Sequence, residues 1–420
     1  MAYMDLQLNV LKWCGMLHLT NCSSKLALKM FNIYRITIFF LVSISVITLT
    51  TQLTVTSSML MLAKTIDMWT MAISGMYKWF CMIKFSNDFI AFDTSLVQIQ
   101  TNAVLIYGSK ANKFTKNHLR YTKKITVFYL LSGFIGVICI ILMPLFAYFN
   151  SNQRKLSFFN DPHNYPISCW IPFTIRNYWE VAGIYTIQFI TSLIVTNTYL
   201  GIDAFMFGTI YAIGGQIDLL NSVLNNFSEN NTPSQNMLPI SLKNENIIHQ
   251  DKLYSKMVLC VKHHILILKY IRKIKNMYSS LILVDYLHGI ISITFAIFQI
   301  TISENFGEKM GISIFVVVSL YHQFLNNVFG EYLVHKQSNV REALYNVPWF
   351  QSDKKFRNIT TFMLSRTNMQ IMITGFYMYK LCINSFIKTY ESNKTSHQLN
   401  VLPVLCLSMI MCTYYESLAT

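Results

Sequence analysis

The amino-acid sequence predicts an all-α membrane protein with seven transmembrane helices and a cytoplasmic N-terminus. The first observation is composition: of 420 residues, 53% are hydrophobic and only 13% are charged, about half the ~25% charged share of soluble domains. The positive mean hydropathy of +0.37 agrees with this apolar composition. The other two observations are a series of apolar stretches and an alternation of basic loops. A chain with this composition is expected in a lipid bilayer.

Seven apolar stretches are long enough to cross a bilayer, which takes roughly 20 helical residues. They are Ile36–Val55, Ile66–Ile83, Ile125–Phe149, Val181–Ile202, Ser279–Ser303, Met310–Gly330 and about Thr367–Ile387. The second stretch is the weakest because it contains Lys78, whose long side chain we expect to reach toward the membrane surface. Pro144 is expected to kink or fray the last turn of the third.

Two apolar patterns continue beyond their crossings. The fourth runs past Asp203 to about Ile217, which predicts a helix that protrudes into the cytoplasm. Residues 252–275 have helical spacing among many basic residues, which predicts an amphipathic helix leading into the fifth crossing. We therefore place Asp203 in a cytoplasmic extension and Asp285 near the membrane interface.

The basic excess, 34 Lys and Arg against 19 Asp and Glu, is typical of cytoplasmic loops and needs no nucleic acid as partner. It lies in the N-terminal segment, in residues 84–124, in residues 218–278 and in residues 331–366. Because alternate loops are basic, the N-terminus is expected inside and the C-terminus outside. That is the reverse of a G-protein-coupled receptor, and neither D-R-Y after the third crossing nor N-P-x-x-Y in the seventh is present.

The chain is organised around residues 338–392. The first part, to Arg366, is polar and basic and contains a corner with the pattern Tyr345-x-x-Pro348-Trp349. The second part is apolar and contains the seventh predicted crossing. A soluble anchoring helix that leads into a membrane helix suits a channel in which several copies surround one pore.

No enzyme is predicted. The sequence contains no paired-carboxylate constellation, H-E-x-x-H, G-x-S-x-G or phosphate-binding loop. Adjacent His263 and His264 point to different faces of a helix, so they are poor joint metal ligands and are expected to pack or to be solvated. We predict no cofactor and no metal.

The C-terminal stretch resembles the signature of the insect odorant receptor family. The matching residues are Ser338, Ala343, Tyr345, Pro348, Trp349, Phe350, Arg357, Leu364, Arg366, Thr374, Gly375 and Phe386. Residues 165–173, YPISCWIPF, resemble the second outer loop of that family, and residues 260–268, CVKHHILIL, resemble its connection between helices four and five.

The resemblance implies a ligand-gated, non-selective cation channel in the plasma membrane of a sensory neuron dendrite. Four subunits surround one pore, and a tuning subunit such as this one assembles with a shared co-receptor subunit into a heterotetramer. By the same resemblance, the residues that anchor the subunits are Tyr345, Pro348, Trp349 and Arg366, and the residues that line the pore are Tyr379, Ile383 and Phe386.

The ligand implied is a small volatile organic molecule, for which an apolar, aromatic pocket is expected. Aromatic residues on crossings two to five are candidates for its walls: Tyr77, Phe80, Phe134, Tyr185, Phe189 and Phe298. Such side chains more often face lipid or pack helices together than line a pocket, and both roles stay open.

These expectations divide the chain into four parts. Residues 1–35 form a cytoplasmic segment, 36–337 contain helices one to six with the ligand pocket, 338–392 contain the anchor and pore helices, and 393–420 are an atypical tail. The family pattern fails from about Asn393, so no gate residue is assigned. Two alternatives remain: a gustatory receptor of the same superfamily that forms a homomeric, tastant-gated channel, and a G-protein-coupled receptor or transporter.

Overall fold

The described part of this computed structural model comprises residues 4–17, 25–56, 58–150, 159, 161–229, 243–303, 306–368 and 371–396. It is almost entirely helical. The helices are α1 (Asp5–Trp13), α2 (Lys25–Val55), α3 (Met59–Lys84), α4 (Ser86–Tyr107), α5 (Ser109–Asn150), α6 (Tyr178–Glu229), α7 (Lys243–Ile302), α8 (Phe306–Tyr345), α9 (Lys354–Thr367) and α10 (Ile383–Ser396). Short 3-10 turns lie at Pro162–Asn164 and Trp349–Gln351.

Apart from Ser303, the predicted crossings one to six lie within α2, α3 and α5 to α8, and each of these helices is longer than its crossing. Helix α6 has 52 residues and α7 has 60. At 1.5 Å per residue they measure about 78 and 90 Å, against roughly 30 Å of hydrocarbon. The expected extensions of the fourth and fifth crossings are therefore confirmed as continuous helix. Helix α5 also continues past Pro144 to Asn150.

Residues 84–124, a polar connection by sequence, are helical almost throughout. Only Phe85 separates α3 from α4, and only Gly108 separates α4 from α5. Six helices of the described chain are long and apolar enough to span a membrane, and they include α4. Helix α3 is not among them, and it carries Lys64, Asp67 and Lys78.

The expectation of a seventh helix over about 367–387 is wrong. Helix α9 ends at Thr367, and a two-stranded antiparallel hairpin, β1 (Thr374–Gly375) and β2 (Tyr379–Lys380), precedes α10. Phe376 and Tyr377 have φ angles of 44° and 64°, left-handed values that turn the chain and cannot continue a right-handed helix. Residues 397–420, which contain most of the atypical tail, lie outside the described residues.

The main hydrophobic core surrounds the middle of α6. Tyr199, Phe205, Ile213 and Leu224 are among its buried residues. Helix α1 packs on this part of α6, and the backbone N–H of Met4, the residue before α1, donates to Asp93 Oδ1 at 2.8 Å. The fold thus wraps α1, α3 to α5, α7 and α8 around a single central helix.

Candidate functional site

A charged cluster lies in the interior of the helix bundle. Lys78 Nζ on α3 lies 2.9 Å from Asp203 Oδ1 on α6 and 2.6 Å from Asp285 Oδ1 on α7. The three side chains are 0%, 3% and 6% exposed. The expectation that Lys78 reaches the membrane surface is wrong, because its side chain is fully buried between the two carboxylates. Asp203 lies just past the predicted fourth crossing, in the continuation of α6. The membrane depths expected for Asp203 and Asp285 stay predictions. The buried ammonium is stabilised by both carboxylates, and each carboxylate is stabilised by the ammonium it contacts. We call these three residues the interior cluster.

Aromatic side chains complete the interior cluster. Tyr129 on α5 donates its hydroxyl to Asp203 Oδ2 at 3.3 Å, and Lys78 Nζ lies 3.4 Å from the centre of the Tyr199 ring. Tyr199 also hydrogen-bonds Asp285. Burying charge away from water is expensive unless the charge is paired and hydrogen-bonded. Two carboxylates facing one ammonium leave an excess of negative charge, and the tyrosine hydroxyls partly offset it.

Two half-buried histidines lie beside the interior cluster. His288 Nδ1 on α7 is 3.5 Å from the Tyr199 hydroxyl, and His322 on α8 has its ring centre 5.1 Å from that of Tyr129. Within the described residues, neither histidine has a hydrogen-bond partner for its buried Nε2. A buried polar atom without a partner is unusual, so these two nitrogens are available to a ligand or to water.

A small cavity of about 10 Å³ lies next to the interior cluster, which is room for about one water molecule. Asp285 and Gln323 line it, together with Tyr379 of the hairpin and Leu381, which follows the hairpin. Gln323 Nε2 donates to the Asp285 backbone carbonyl at 2.8 Å. The interior cluster and the hairpin therefore share one cavity wall.

The hairpin is fixed to α7 and α8 by close contacts. Tyr379 donates its hydroxyl to Asn327 Oδ1 at 2.7 Å, and its ring stacks on Tyr286 with 3.9 Å between centres. The Phe376 backbone N–H donates to Ser279 Oγ at 2.8 Å. A Cβ on Gly330 of α8 would collide with the backbone carbonyl of Leu381. Only glycine permits this approach, so the segment before α10 packs closely against α7 and α8.

Comparison with known proteins identifies the family. The family model described as 7tm Odorant receptor matches residues 58–392, which is most of the chain. The chain belongs to the odorant receptor family. Its fold is similar to that of the insect olfactory receptor OR5 from Machilis hrabei in complex with eugenol, with a TM-score of 0.72 at 12% identity over 98% of this chain and 99% of that one. A second structure of OR5 from Machilis hrabei gives a TM-score of 0.68 at 10% identity, covering 95% of this chain and 97% of that one.

Individual odorant receptors match over a shorter region. Putative odorant receptor 92a of Drosophila melanogaster is 27% identical over 128 residues, 30% of this chain and 31% of that protein. Odorant receptor 67c of the same species is 28% identical over 108 residues, 26% of each. The matches thus span about a third or less of these relatives. The resemblance read from the C-terminal motif is confirmed at the level of the family and the fold.

The aromatic residues proposed as walls of the odorant pocket differ in how far their side chains are exposed. Tyr77, Phe80 and Phe134 are 37%, 61% and 45% exposed, while Phe189 and Phe298 are half-buried. Among the ring contacts of the described residues, none joins two of the six. Three of them thus expose much of their rings on the outside of this chain, where lipid is expected.

Tyr185, the sixth candidate, belongs to a cluster beneath the loop that follows α5. Its ring packs on Phe159 and Tyr165, and its hydroxyl donates to the Asn164 carbonyl at 3.2 Å. Burial raises the pKa of Tyr165 to about 12, with Cys169 nearby, so the hydroxyl stays neutral. Gln188 accepts from the Ile167 N–H at 3.2 Å and donates to the Ile167 carbonyl at 3.0 Å. These two hydrogen bonds attach the loop to the N-terminal part of α6.

The three pore candidates differ in burial. Tyr379 is only 6% exposed and contacts its own chain. Ile383 and Phe386, in the first turn of α10, are half-buried, and the Phe386 ring lies 5.7 Å from that of Phe324. Among residues 383–389 of this helix, the outward ones are Asn384, Ile387 and Lys388.

The anchor candidates form the corner between α8 and α9. Tyr345 is 69% exposed, whereas Pro348 and Trp349 are half-buried and Trp349 packs on the main core. Arg366 is exposed, with its guanidinium 5.7 Å from the centre of the Phe362 ring. Structurally, Trp349 closes the corner while Tyr345 and Arg366 face outward.

Sequence reasoning missed His288 and His322, since a lone histidine in an apolar run gives no distinctive signal. It treated Lys78, Asp203 and Asp285 singly. A signal for them existed, because ionisable residues inside apolar crossings are rare and generally face a partner.

Proposed function

We propose that this chain is the tuning subunit of an odorant-gated, non-selective cation channel that assembles with a co-receptor subunit in the plasma membrane. The observation that carries the proposal is the docking of the hairpin. Tyr379 and Leu381 share a cavity with Asp285 of the interior cluster, and α10 follows directly. A ligand that shifts α7 or α8 would shift the start of α10 as well. The fold shared with a receptor solved with eugenol supports the same activity.

The ligand site, in this proposal, lies inside the bundle beside His288 and His322. Membrane helices surround it, and the free Nε2 atoms can orient a ligand with one hydroxyl or carbonyl group. A small volatile gains at most about 1.5 kcal/mol per heavy atom on binding. Only the part of that free energy that differs between the closed and open states opens the pore.

Assembly and conduction use the C-terminal region. We assign Ile383 and Phe386, with the outward residues Asn384 and Ile387, to the wall of the shared pore. Tyr379 is better suited to holding the hairpin, because its ring is covered by Tyr286. The exposed Tyr345 and Arg366 are assigned to contacts between subunits, and the N-terminus is placed in the cytoplasm by the basic loops.

The function is tested by expression with and without an insect odorant co-receptor subunit. We expect an inward cation current evoked by volatile odorants from the pair and little from this chain alone. Silence of the pair across a broad volatile panel, with surface expression verified, would contradict the proposal. Current from this chain alone would favour the homomeric, gustatory-type alternative, and antibody access to the N-terminus on intact cells would favour a G-protein-coupled receptor.

The ligand site is tested by His288→Leu and His322→Leu. Each removes a free imidazole nitrogen, so the odorant concentration for half-maximal current should rise about tenfold, as expected for the loss of one hydrogen bond of roughly 1–1.5 kcal/mol. His335→Leu on α8 is the matched control, because His335 is exposed. Equal sensitivity of all three variants and the parent would place the ligand elsewhere.

A further inference from the structure

We propose that the outward face of α5 between Lys113 and Lys124 binds the headgroups of anionic phospholipids. The side chains of Lys113, Lys116, Arg120, Lys123 and Lys124 are all exposed. Among the described residues none of them has a carboxylate within ion-pair distance, in contrast to Lys78 and Lys336. Five unpaired cations within twelve residues form a strongly positive surface.

The cations continue a surface that faces lipid. At 3.6 residues per turn, residues 113, 116, 120 and 124 lie on the same side of α5 as residues 127, 131 and 135. Val127, Phe128, Leu131 and Ile135 on this side are 53%, 63%, 51% and 53% exposed. The opposite side is buried in the bundle and includes Thr115, Thr122, Thr126 and Tyr129. One outward stripe is thus cationic in its first part and apolar in its second.

The change from cationic to apolar side chains gives the depth of the membrane surface. It lies between Lys124 and Val127. Arg120 is about 6 Å along the helix axis from Lys124, and Lys116 about 12 Å. The headgroup layer of one leaflet is roughly 5–8 Å thick, so Arg120, Lys123 and Lys124 lie at headgroup depth, with Lys116 just beyond it.

An exposed tyrosine marks the same level. Tyr121 is 55% exposed, and Lys124 Nζ lies 5.9 Å from the centre of its ring. Tyrosine is enriched where hydrocarbon meets headgroups, and clustered basic residues beside a membrane helix attract acidic lipids. The phosphate of an acidic lipid is the ligand that fits both the charge and the depth.

The test measures lipid binding without odorant or current, so its outcome is separate from that of the proposed function. The purified full chain in neutral detergent is titrated with dioctanoyl phosphatidylserine and with dioctanoyl phosphatidylcholine. The variant K116Q/R120Q/K123Q/K124Q is compared with K256Q/K262Q/K269Q/R272Q on α7. Both remove three lysines and one arginine, all exposed, but the α7 positions lie farther from the predicted crossing.

We expect the parent and the α7 variant to bind phosphatidylserine at least about tenfold more tightly than phosphatidylcholine, and the α5 variant to lose that preference. The charge-conserving K116R/R120K/K123R/K124R should keep it, which separates lost charge from misfolding. Retained preference in the α5 variant, equal loss in the α7 variant, or equally tight binding of glycerophosphoserine without acyl chains would each overturn the proposal.

Discussion

Two acid–base clusters connect the helices of this receptor, one in the interior of the bundle and one near the end of α6. In the interior cluster, the lysine is fully buried and the two carboxylates nearly so. In the second, Lys336 Nζ lies 2.7 Å from Asp218 Oδ1, and His118 Nε2 lies 3.4 Å from Oδ2 of the same aspartate. We call these three residues the end cluster, and their side chains are 21%, 23% and 14% exposed.

The distances are alike, so the difference between the clusters is one of environment. Water can solvate a member of the end cluster when its partner is removed. A partly exposed ion pair contributes only about 0.2–1 kcal/mol to stability. In the interior, water cannot take the place of a lost partner. Removal of one partner there leaves a buried charge uncompensated and lowers the free energy of unfolding by about 3–5 kcal/mol. The distances alone would predict equal contributions of the two clusters to stability.

The largest effect is expected for Lys78→Met. The substitution keeps most of the side-chain volume but leaves two carboxylates without their cation, so the free energy of unfolding should fall by about 3–5 kcal/mol. Thermal stability of the tagged receptor by fluorescence-detected size exclusion would show the loss. The triple variant K78M/D203N/D285N removes every charge and should recover much of it; no recovery would mean that packing, and not charge, makes the interior cluster important.

A purely steric change in the same interior is Gly330→Ala. Its Cβ would collide with the Leu381 carbonyl, and overpacking of this kind costs about 1–3 kcal/mol. Odorant-evoked current should fall together with stability, because the displaced segment precedes α10. Gly136→Ala is the matched control, since nothing lies within 4 Å of the new methyl group; a similar loss in both would refute the docking of the hairpin.

The loss of a buried hydrogen bond between neutral groups is expected to destabilise the protein by an intermediate amount. Tyr379→Phe leaves Asn327 Oδ1 without the hydroxyl that donates to it, which should cost about 1–3 kcal/mol. Tyr377→Phe in the same hairpin is the control, because Tyr377 is 71% exposed. Thermal denaturation of the two variants side by side checks the difference, and indistinguishable curves would contradict it.

The smallest effect is expected for Lys336→Met in the end cluster. Asp218 keeps His118 and some water, so the loss should be about 0.2–1 kcal/mol and should shrink further at high salt. Unfolding followed at low and at high ionic strength tests both statements. A loss as large as that of Lys78→Met would show that burial does not set the difference between the clusters.

The sequence by itself determined the class, the family and most of the helices. Apolar runs near 20 residues predicted the crossings because bilayer thickness fixes their length, and the corner at Tyr345-x-x-Pro348-Trp349 identified the family later matched over residues 58–392. These are local properties, and local sequence is enough to predict them.

Only the tertiary structure decided what depends on contacts between distant residues. Lys78 looked like a surface lysine until Asp203, 125 positions away, was found 2.9 Å from it. By sequence, the apolar run after Thr367 looked like one helix. In the structure, part of it forms a hairpin, and this region contacts Ser279, Asn327 and Gly330. Hydropathy averages over neighbours along the chain, whereas the energy of a buried charge or a tight turn is set by neighbours in space.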